Sequence, residues 1–213
     1  MEIIIAITSY FEIIPLIVGL FLLKHVKDIV AKLFMGFLIS IMFIDLASYI
    51  RLTYYQTNLI VYNIFDIITT IFMLLCFYYG GQKKHFAKGI ISVFIILCMV
   101  CYFLLTDMYT VNKLNNFITN FTQIIVSGYM LIKLLDKKNI VLQNEFRFWL
   151  FAGLLIFSFS TLTIYLMDDI YRKNDAFVFI YTRIYYWVMV LVTNTFYTLA
   201  LLCQKKDSTS ISL

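Results

Sequence analysis

The sequence predicts an all-α, polytopic membrane protein with seven transmembrane helices. First, 62% of its 213 residues are hydrophobic and only 14% are charged, whereas soluble domains have about 45–50% apolar and about 25% charged residues. Second, the chain contains several apolar runs of about 20 residues, the length that crosses a bilayer as a helix. Third, the basic residues collect in alternate connections between these runs, a distribution typical of multi-pass proteins.

Seven apolar runs are separated by short connections. We predict spans over residues 3–23, 29–50, 59–80, 89–105, 117–135, 148–167 and 177–203. No change of composition marks a second domain, so residues 1–203 are predicted to form one bundle and 204–213 a short cytoplasmic tail. The first run follows no positively charged segment, and we expect it to be retained rather than cleaved as a signal peptide.

The basic residues predict the orientation of the bundle, because cytoplasmic loops carry an excess of lysine and arginine. Twelve lie on one side of the predicted spans, namely Lys24, Lys27, Lys32, Lys83, Lys84, Lys88, Lys133, Lys137, Lys138, Arg147, Lys205 and Lys206. Five lie on the other, namely Arg51, Lys113, Arg172, Lys173 and Arg183. The N-terminus is therefore predicted to be outside and the C-terminus cytoplasmic, and an even number of spans would destroy this asymmetry.

Carboxylates within the runs indicate where a functional site would lie. A charged side chain at the centre of a bilayer costs about 2.5–3.5 kcal/mol on insertion scales, so it should face protein or water. With the predicted orientation, the carboxylates all fall in the outer half of the membrane, which favours an outward-facing polar pocket over a purely structural network. The candidate pocket residues are Glu12, Asp45, Asp66, Asn120, Gln123, Tyr165, Asp168, Arg183, Tyr186 and Asn194.

Helical spacing places further polar residues on common faces. In the run 117–135 and the turn before it, Asn116, Asn120, Gln123 and Ser127 recur every three or four residues and share one side of a helix. Such residues either line a cavity or form hydrogen bonds between helices, worth on average about 0.6 kcal/mol each in membranes.

Several function classes are disfavoured by the sequence. The last run has no lysine for a retinal Schiff base, and the two histidines, His25 and His85, lie in lysine-containing loops, so no metal site or cofactor is predicted. Cys98 and Cys101 are interpreted as buried thiols of one helix. Because the basic residues form short clusters between apolar runs, nucleic-acid binding is not expected.

The whole chain resembles a group of small bacterial seven-helix membrane proteins of uncharacterised function. The likeness lies in Glu12 with Pro15, in the Tyr62-Asn63 step before Asp66, and in Trp149 at the start of the sixth run. It continues with Tyr186, Trp187, Asn194 and Tyr197 before a short lysine tail. The third-span acid of that group is often glutamate, whereas this chain has Asp66, and the resemblance implies no activity.

The sequence favours a sensor or binding module in a bacterial inner (plasma) membrane, signalling through a membrane or cytoplasmic partner. A proton, cation or small-solute transporter or channel is the first alternative, with Glu12, Asp45 and Asp66 along the route. An intramembrane lipid-modifying enzyme using Asp45 and Asp66 as a carboxylate pair is the second. The expected partners are the lipid bilayer, the signalling protein and possible further copies of the chain.

Overall fold

A computed structural model describes residues 2–26, 28–55, 59–80, 113–136, 141–171 and 176–209. In these ranges six long helices follow one another: α1 Glu2–Leu22, α2 Ile29–Tyr55, α3 Leu59–Gly80, α4 Lys113–Leu135, α5 Phe146–Tyr171 and α6 Ala176–Thr209. Short 3₁₀ helices, Leu23–His25 and Leu142–Asn144, precede α2 and α5. The predicted span 89–105, with Cys98 and Cys101, lies outside the described residues.

The helices confirm an all-α architecture with the composition of a multi-pass membrane protein. Within the described residues, five helices are long and apolar enough to cross a bilayer. Their spanning segments are Ile29–Arg51, Asn63–Gly80, Asn116–Leu135, Phe146–Ile164 and Ile184–Gln204. In α1 the described apolar stretch is shorter, Ile13–Leu22.

Two helices continue well beyond the apolar runs that predict them. α2 reaches Tyr55, although its run ends at Ile50, and α6 reaches Thr209, although its run ends at Cys203. Because Gln204 is buried, the packed part of the bundle continues past the predicted boundary between bundle and tail. At about 1.5 Å per residue, the 34 residues of α6 extend for about 50 Å, more than the membrane thickness.

The described helices pack side by side in a closed order. Each of α2 to α6 packs against the preceding helix, and α1 packs against both α6 and α2. The contact between α5 and α6 is especially close at Gly153, where an added Cβ would lie 2.9 Å from the Cβ of Phe196. A glycine is needed here because the neighbouring atom belongs to the base of a side chain and has little freedom to move.

Directions along the bundle follow from pairs of contacts. α2 and α3 are antiparallel, since the Phe34 ring lies 6.2 Å from Phe72 whereas Phe37, further along α2, lies 6.4 Å from the earlier residue Phe65. α5 and α6 are also antiparallel: the Trp149 ring contacts Phe196 at 5.3 Å, and the loop before α5 contacts the later part of α6.

α3 and α4, in contrast, run in the same direction. The hydroxyls of Thr70 and Thr119 are 3.0 Å apart, and further along both helices Lys133 Nζ donates to the carbonyl oxygen of Gly80 at 3.2 Å. Both partners advance along the chain together, so α3 and α4 begin at the same end of the bundle and end at the other.

One end of the bundle, here called the lysine-rich end, joins the starts of α2 and α5 to the ends of α3, α4 and α6. Asp28, directly before α2, receives two hydrogen bonds from Arg147 of α5, at 2.9 and 3.1 Å. The same carboxylate accepts from the backbone N–H of Val30 at 3.0 Å, which caps the N-terminus of α2. Gln143 accepts from the thiol of Cys203 at 3.4 Å, which attaches the end of α6.

The core of the lysine-rich half is apolar and aromatic, and we call it the Phe34 core. Phe34 is fully buried and its ring lies 5.0 Å from Tyr197 of α6, 6.2 Å from Phe72 of α3 and 6.2 Å from Phe146 of α5. One side chain of α2 therefore touches three other helices. The rest of this core includes Met35, Met73, Met130, Leu150, Leu154 and Leu201.

Candidate functional site

Polar side chains replace apolar ones inside the opposite half of the bundle. They lie mainly on α3, α4 and α5, and every one of them except Asn116, which is partly buried, is buried from solvent. We call this set the polar cluster: Asp66, Thr70, Asn116, Thr119, Asn120, Gln123 and Ser158. Three of the predicted pocket residues, Asp66, Asn120 and Gln123, belong to it.

The carboxylate of Asp66 is the charged group of the polar cluster. It is 8% exposed and lies seven residues after Leu59, about 10 Å along α3 from its start. The side-chain amide of Asn116 on α4 approaches both carboxylate oxygens, at 3.4 and 3.3 Å. These are long hydrogen bonds, so Asn116 holds the carboxylate in place but satisfies little of its capacity to accept.

The orientation of the Asn116 amide is determined by its neighbour. Asn120 donates from Nδ2 to the backbone carbonyl oxygen of Asn116 at 2.9 Å, and a carbonyl can only accept. The same Nδ2 also donates to Asn116 Oδ1 at 2.7 Å. Asn116 Oδ1 is thereby directed to Asn120, and its Nδ2 must point to Asp66. The amides form a series of donors that ends at a carboxylate.

Two threonines connect α3 and α4 one turn further into the bundle. Thr70 donates to the backbone oxygen of Asp66 at 2.8 Å, the usual hydrogen bond of a helical threonine. Its oxygen also lies 3.0 Å from the hydroxyl of Thr119. Because the proton of Thr70 is used within its own helix, Thr119 is the donor between the helices.

Gln123 extends the polar cluster to α5. Its side-chain oxygen makes a short hydrogen bond with the hydroxyl of Ser158, which also lies 2.8 Å from the carbonyl oxygen of Leu154. Gln123 is 2% exposed and Ser158 is fully buried, so this contact crosses the interior of the bundle.

Two more hydroxyls lie deeper and have no hydrogen-bond partner among the described residues: Ser127 of α4 and Thr193 of α6. The pairing of Gln123 with Ser158 and the contact of Gly153 with Phe196 put both hydroxyls opposite the same part of α5, within about one helical turn. A buried hydroxyl without a partner costs about 1–3 kcal/mol. Such positions are therefore sites where a water or a polar ligand would be stabilised.

Asn194 and Tyr186 of α6, two other predicted pocket residues, make local contacts. Asn194 is buried, and its amide donates to the carbonyl oxygen of Val190 in its own helix at 3.0 Å. Tyr186 is half-buried, and its ring packs edge-on against Trp187 at 5.3 Å. Neither contact joins α6 to the polar cluster, although Asn194 is adjacent to Thr193, whose hydroxyl has no partner among the described side chains.

Asp45 is located differently from the pocket that the sequence predicts. Its side chain is exposed, as are those of its neighbours Phe43, Leu46 and Tyr49 on α2. Among the described residues it makes no hydrogen bond with Asp66, whose carboxylate is held by Asn116. The contacts of the described residues therefore do not show the carboxylate pair of the enzyme alternative, which stays a prediction.

The remaining predicted pocket residues are Glu12, Tyr165, Asp168 and Arg183. Their backbones lie within α1, α5 and α6, but their side chains lie outside the described part of the structure. They stay candidates on the basis of sequence alone. Within the described residues, no group of three or more histidine, cysteine, aspartate or glutamate side chains is arranged to hold a metal ion.

Sequence reasoning missed Thr70, Thr119 and Thr193 as candidate site residues. A signal was present for Thr70, which is four residues after Asp66 and so shares its helix face. No comparable signal existed for Thr193, because nothing in the spacing of α6 shows that its hydroxyl is left without a partner among the described residues.

Comparisons with protein-family models, curated proteins and solved structures find no match, so function is argued from the arrangement of these residues.

Proposed function

We propose that the chain is a membrane sensor or binding module, with a pocket around the polar cluster that opens to the outside and a signalling partner at the lysine-rich end. The observation that carries the proposal is the division of the interior. Buried polar groups, two of them hydroxyls without a hydrogen-bond partner among the described residues, occupy one half, and the Phe34 core fills the other. A ligand that enters the polar half reaches groups that lack hydrogen bonds, whereas the aromatic half blocks its passage.

We further propose seven spans, with the N-terminus outside and the C-terminus in the cytoplasm of a bacterial inner membrane. The parallel directions of α3 and α4 support the proposed number of seven spans. A chain that leaves α3 at the lysine-rich end and enters α4 at the opposite end must return across the bundle between them. The apolar run 89–105 falls between these two helices, and the lysine-rich end would face the cytoplasm.

Phe34 gives the proposed sensor a route for its signal. Its ring touches α3, α5 and α6, and Asp28 of the Asp28–Arg147 ion pair lies six residues earlier, directly before α2. A ligand that moves α3 relative to α4 would shift Phe72 against Phe34, and the displacement would reach both the ion pair and the long end of α6. Packed cores move between discrete arrangements rather than deforming gradually, which suits a switch.

Cysteine accessibility tests the direction of the pocket. Asn120→Cys should react with a membrane-impermeant thiol reagent added outside intact cells, and Leu150→Cys in the Phe34 core should react from neither side. The parent chain, whose described cysteines Cys76 and Cys203 are buried, is the control for native thiols. Modification of Asn120→Cys from the cytoplasmic side only would contradict the proposal.

Fusions to the C-terminus test the topology. Green fluorescent protein folds in the cytoplasm and alkaline phosphatase is active only outside it. We expect the first fusion to fluoresce and the second to be inactive. The opposite pattern would contradict the proposed orientation, and therefore the number of spans if the N-terminus is shown independently to be outside.

Transport is the second candidate function. It is favoured by Ser127 and Thr193, because their hydroxyls, which have no partner in the described part of the chain, extend polar groups from Gln123 toward the lysine-rich end. A transporter would have to open the Phe34 core to complete the path. Purified chain in proteoliposomes, without any partner, would then move the ion or solute, whereas a sensor would bind without flux.

A further inference from the structure

We infer that the polar cluster binds a small monovalent cation at the carboxylate of Asp66, either an alkali-metal ion or the ammonium group of a small amine. This inference rests on the proposed function, since it names the ligand class of the same pocket. It depends on three features of Asp66: its burial, its poor pairing and the direction of the neighbouring amide donors.

No described side chain compensates the charge of Asp66. It lies in the spanning segment Asn63–Gly80 and is 8% exposed. Among the described residues, no basic side chain pairs with it, and its hydrogen bonds come from the single amide of Asn116 at 3.3 and 3.4 Å. A buried carboxylate in such surroundings is stabilised by a counter-charge or by a bound proton, because neutral and distant donors replace only part of its hydration.

The amide orientation indicates that the site is built for the ionised carboxylate. Asn120 directs Asn116 Oδ1 toward itself and leaves Asn116 Nδ2 facing both oxygens of Asp66. A donor that approaches both oxygens matches a carboxylate, which only accepts. It matches a protonated acid less well, because the acid's own O–H would face this donor. The orientation therefore favours the ionised form, whose negative charge a cation can neutralise.

The nearby donor atoms are of the type that such cations prefer. Hydroxyl oxygens of Thr70 and Thr119 lie one turn deeper than Asp66. Carboxylate, hydroxyl and amide oxygens are hard ligands, suited to alkali-metal and similar cations, and they also accept hydrogen bonds from an ammonium group. With a single carboxylate among the described residues of the cluster, one positive charge balances the site.

Asp45 provides the matched control. It carries the same charge in a spanning segment, Ile29–Arg51, but its side chain is exposed and outside the polar cluster. Neutralising it removes the same net charge without touching the inferred site. Asp66→Asn and Asp45→Asn therefore separate binding at the cluster from a general effect of charge.

The experiment measures the unfolding temperature of the full chain in lipid nanodiscs at constant ionic strength. N-methyl-D-glucamine chloride is replaced stepwise by sodium, potassium or methylammonium chloride, and the three series distinguish a metal ion from an amine. At about 100 times the dissociation constant, binding should raise the unfolding temperature by about 5–10 °C. The rise should persist in Asp45→Asn and disappear in Asp66→Asn.

Several outcomes would overturn the inference: no cation raises the unfolding temperature of the parent chain, the rise persists in Asp66→Asn, or Asp45→Asn abolishes it. If Asp66→Asn does not fold, a second measurement replaces it: the protection of an introduced cysteine against chemical modification. The effective cation should slow modification of Ser127→Cys, which keeps Asn120 and lies deeper in the bundle than Asp66, several-fold, and an unchanged rate would then overturn the inference.

The outward-facing pocket and the cation site can be disproved independently of each other. If Asn120→Cys reacts from outside while no cation stabilises the chain, the pocket stands and the cation is wrong. If a cation stabilises the chain through Asp66 but Asn120→Cys reacts only from the cytoplasmic side, the outward pocket is wrong and the cation site stands.

Discussion

The two halves of the bundle interior differ in the side chains that they bury: one half is apolar and the other is polar. Around Phe34, apolar side chains from α2, α3, α5 and α6 fill the space, and of the three rings that contact Phe34 only Tyr197 carries a polar group. In the polar cluster, buried carboxylate, amide and hydroxyl groups depend on each other, and their hydrogen bonds are incomplete. The comparison indicates where stability resides: the Phe34 core holds the bundle together, whereas the polar half contributes less because its hydrogen bonds among the described residues are incomplete.

The charged groups show the same contrast. At the lysine-rich end, Asp28 has a full set of partners: two hydrogen bonds from Arg147 and one from the backbone of α2. Asp66 has one distant amide. A carboxylate with good partners is a structural element, whereas one with poor partners is available to a ligand.

The largest expected effect tests the Phe34 core. Phe34→Ala should lower the free energy of unfolding by about 3–5 kcal/mol, because it leaves a cavity where four helices meet. Phe43→Ala on the same helix removes an equal side chain that is 68% exposed and should cost far less. Reversible unfolding in mixed micelles measures both changes. Equal losses would show that the supposed core does not dominate stability.

The next effect tests the ion pair at the lysine-rich end. Arg147→Ala should cost about 1–2 kcal/mol, since it removes two charge-assisted hydrogen bonds from groups that are 26% and 23% exposed and so partly screened. Lys32→Ala, which removes an exposed cation of the same end, is the control. In a double-mutant cycle with Asp28→Asn, additive losses would mean that the pair contributes no coupling.

The smallest effects test whether the polar half is incompletely satisfied. Thr70→Val removes its hydrogen bond with Thr119 and should cost about 0.5–1.5 kcal/mol. Ser127→Ala removes a hydroxyl without a partner and should leave stability unchanged or raise it slightly. The same unfolding measurement compares them. A clear loss in Ser127→Ala would show that this hydroxyl is already well paired.

Much of the fold could be predicted because apolar length is a strong signal. The run 59–80 predicts α3 with the bounds that the structure gives it. The ends of α2 and α6 could not be predicted this way, because Arg51 and Gln204 end the apolar runs without ending the helices. Charged and polar residues end the apolar segment that can cross a membrane, but the backbone hydrogen bonds of the helix can continue beyond them.

The positions of the candidate residues along their helices could be predicted from the sequence. The side of each helix on which a side chain lies could not. Residue counts place Asp45 and Asp66 in the same half of the bundle. However, the apolar residues of α2 are spread almost evenly around the helix, so no face is marked as interior. The partnership of Asp66 with Asn116 joins residues 50 positions apart, and a single sequence carries no signal for such a lateral contact.

The most direct test of the division between the two halves is an experimental structure in nanodiscs at a resolution that shows ordered water and ions. We expect density beside the Asp66 carboxylate and within hydrogen-bond distance of Ser127 or Thr193, and none around Phe34. A polar half closed by side chains alone, with no such density, would contradict the account, as would a water path that continues past Phe34 to the lysine-rich end.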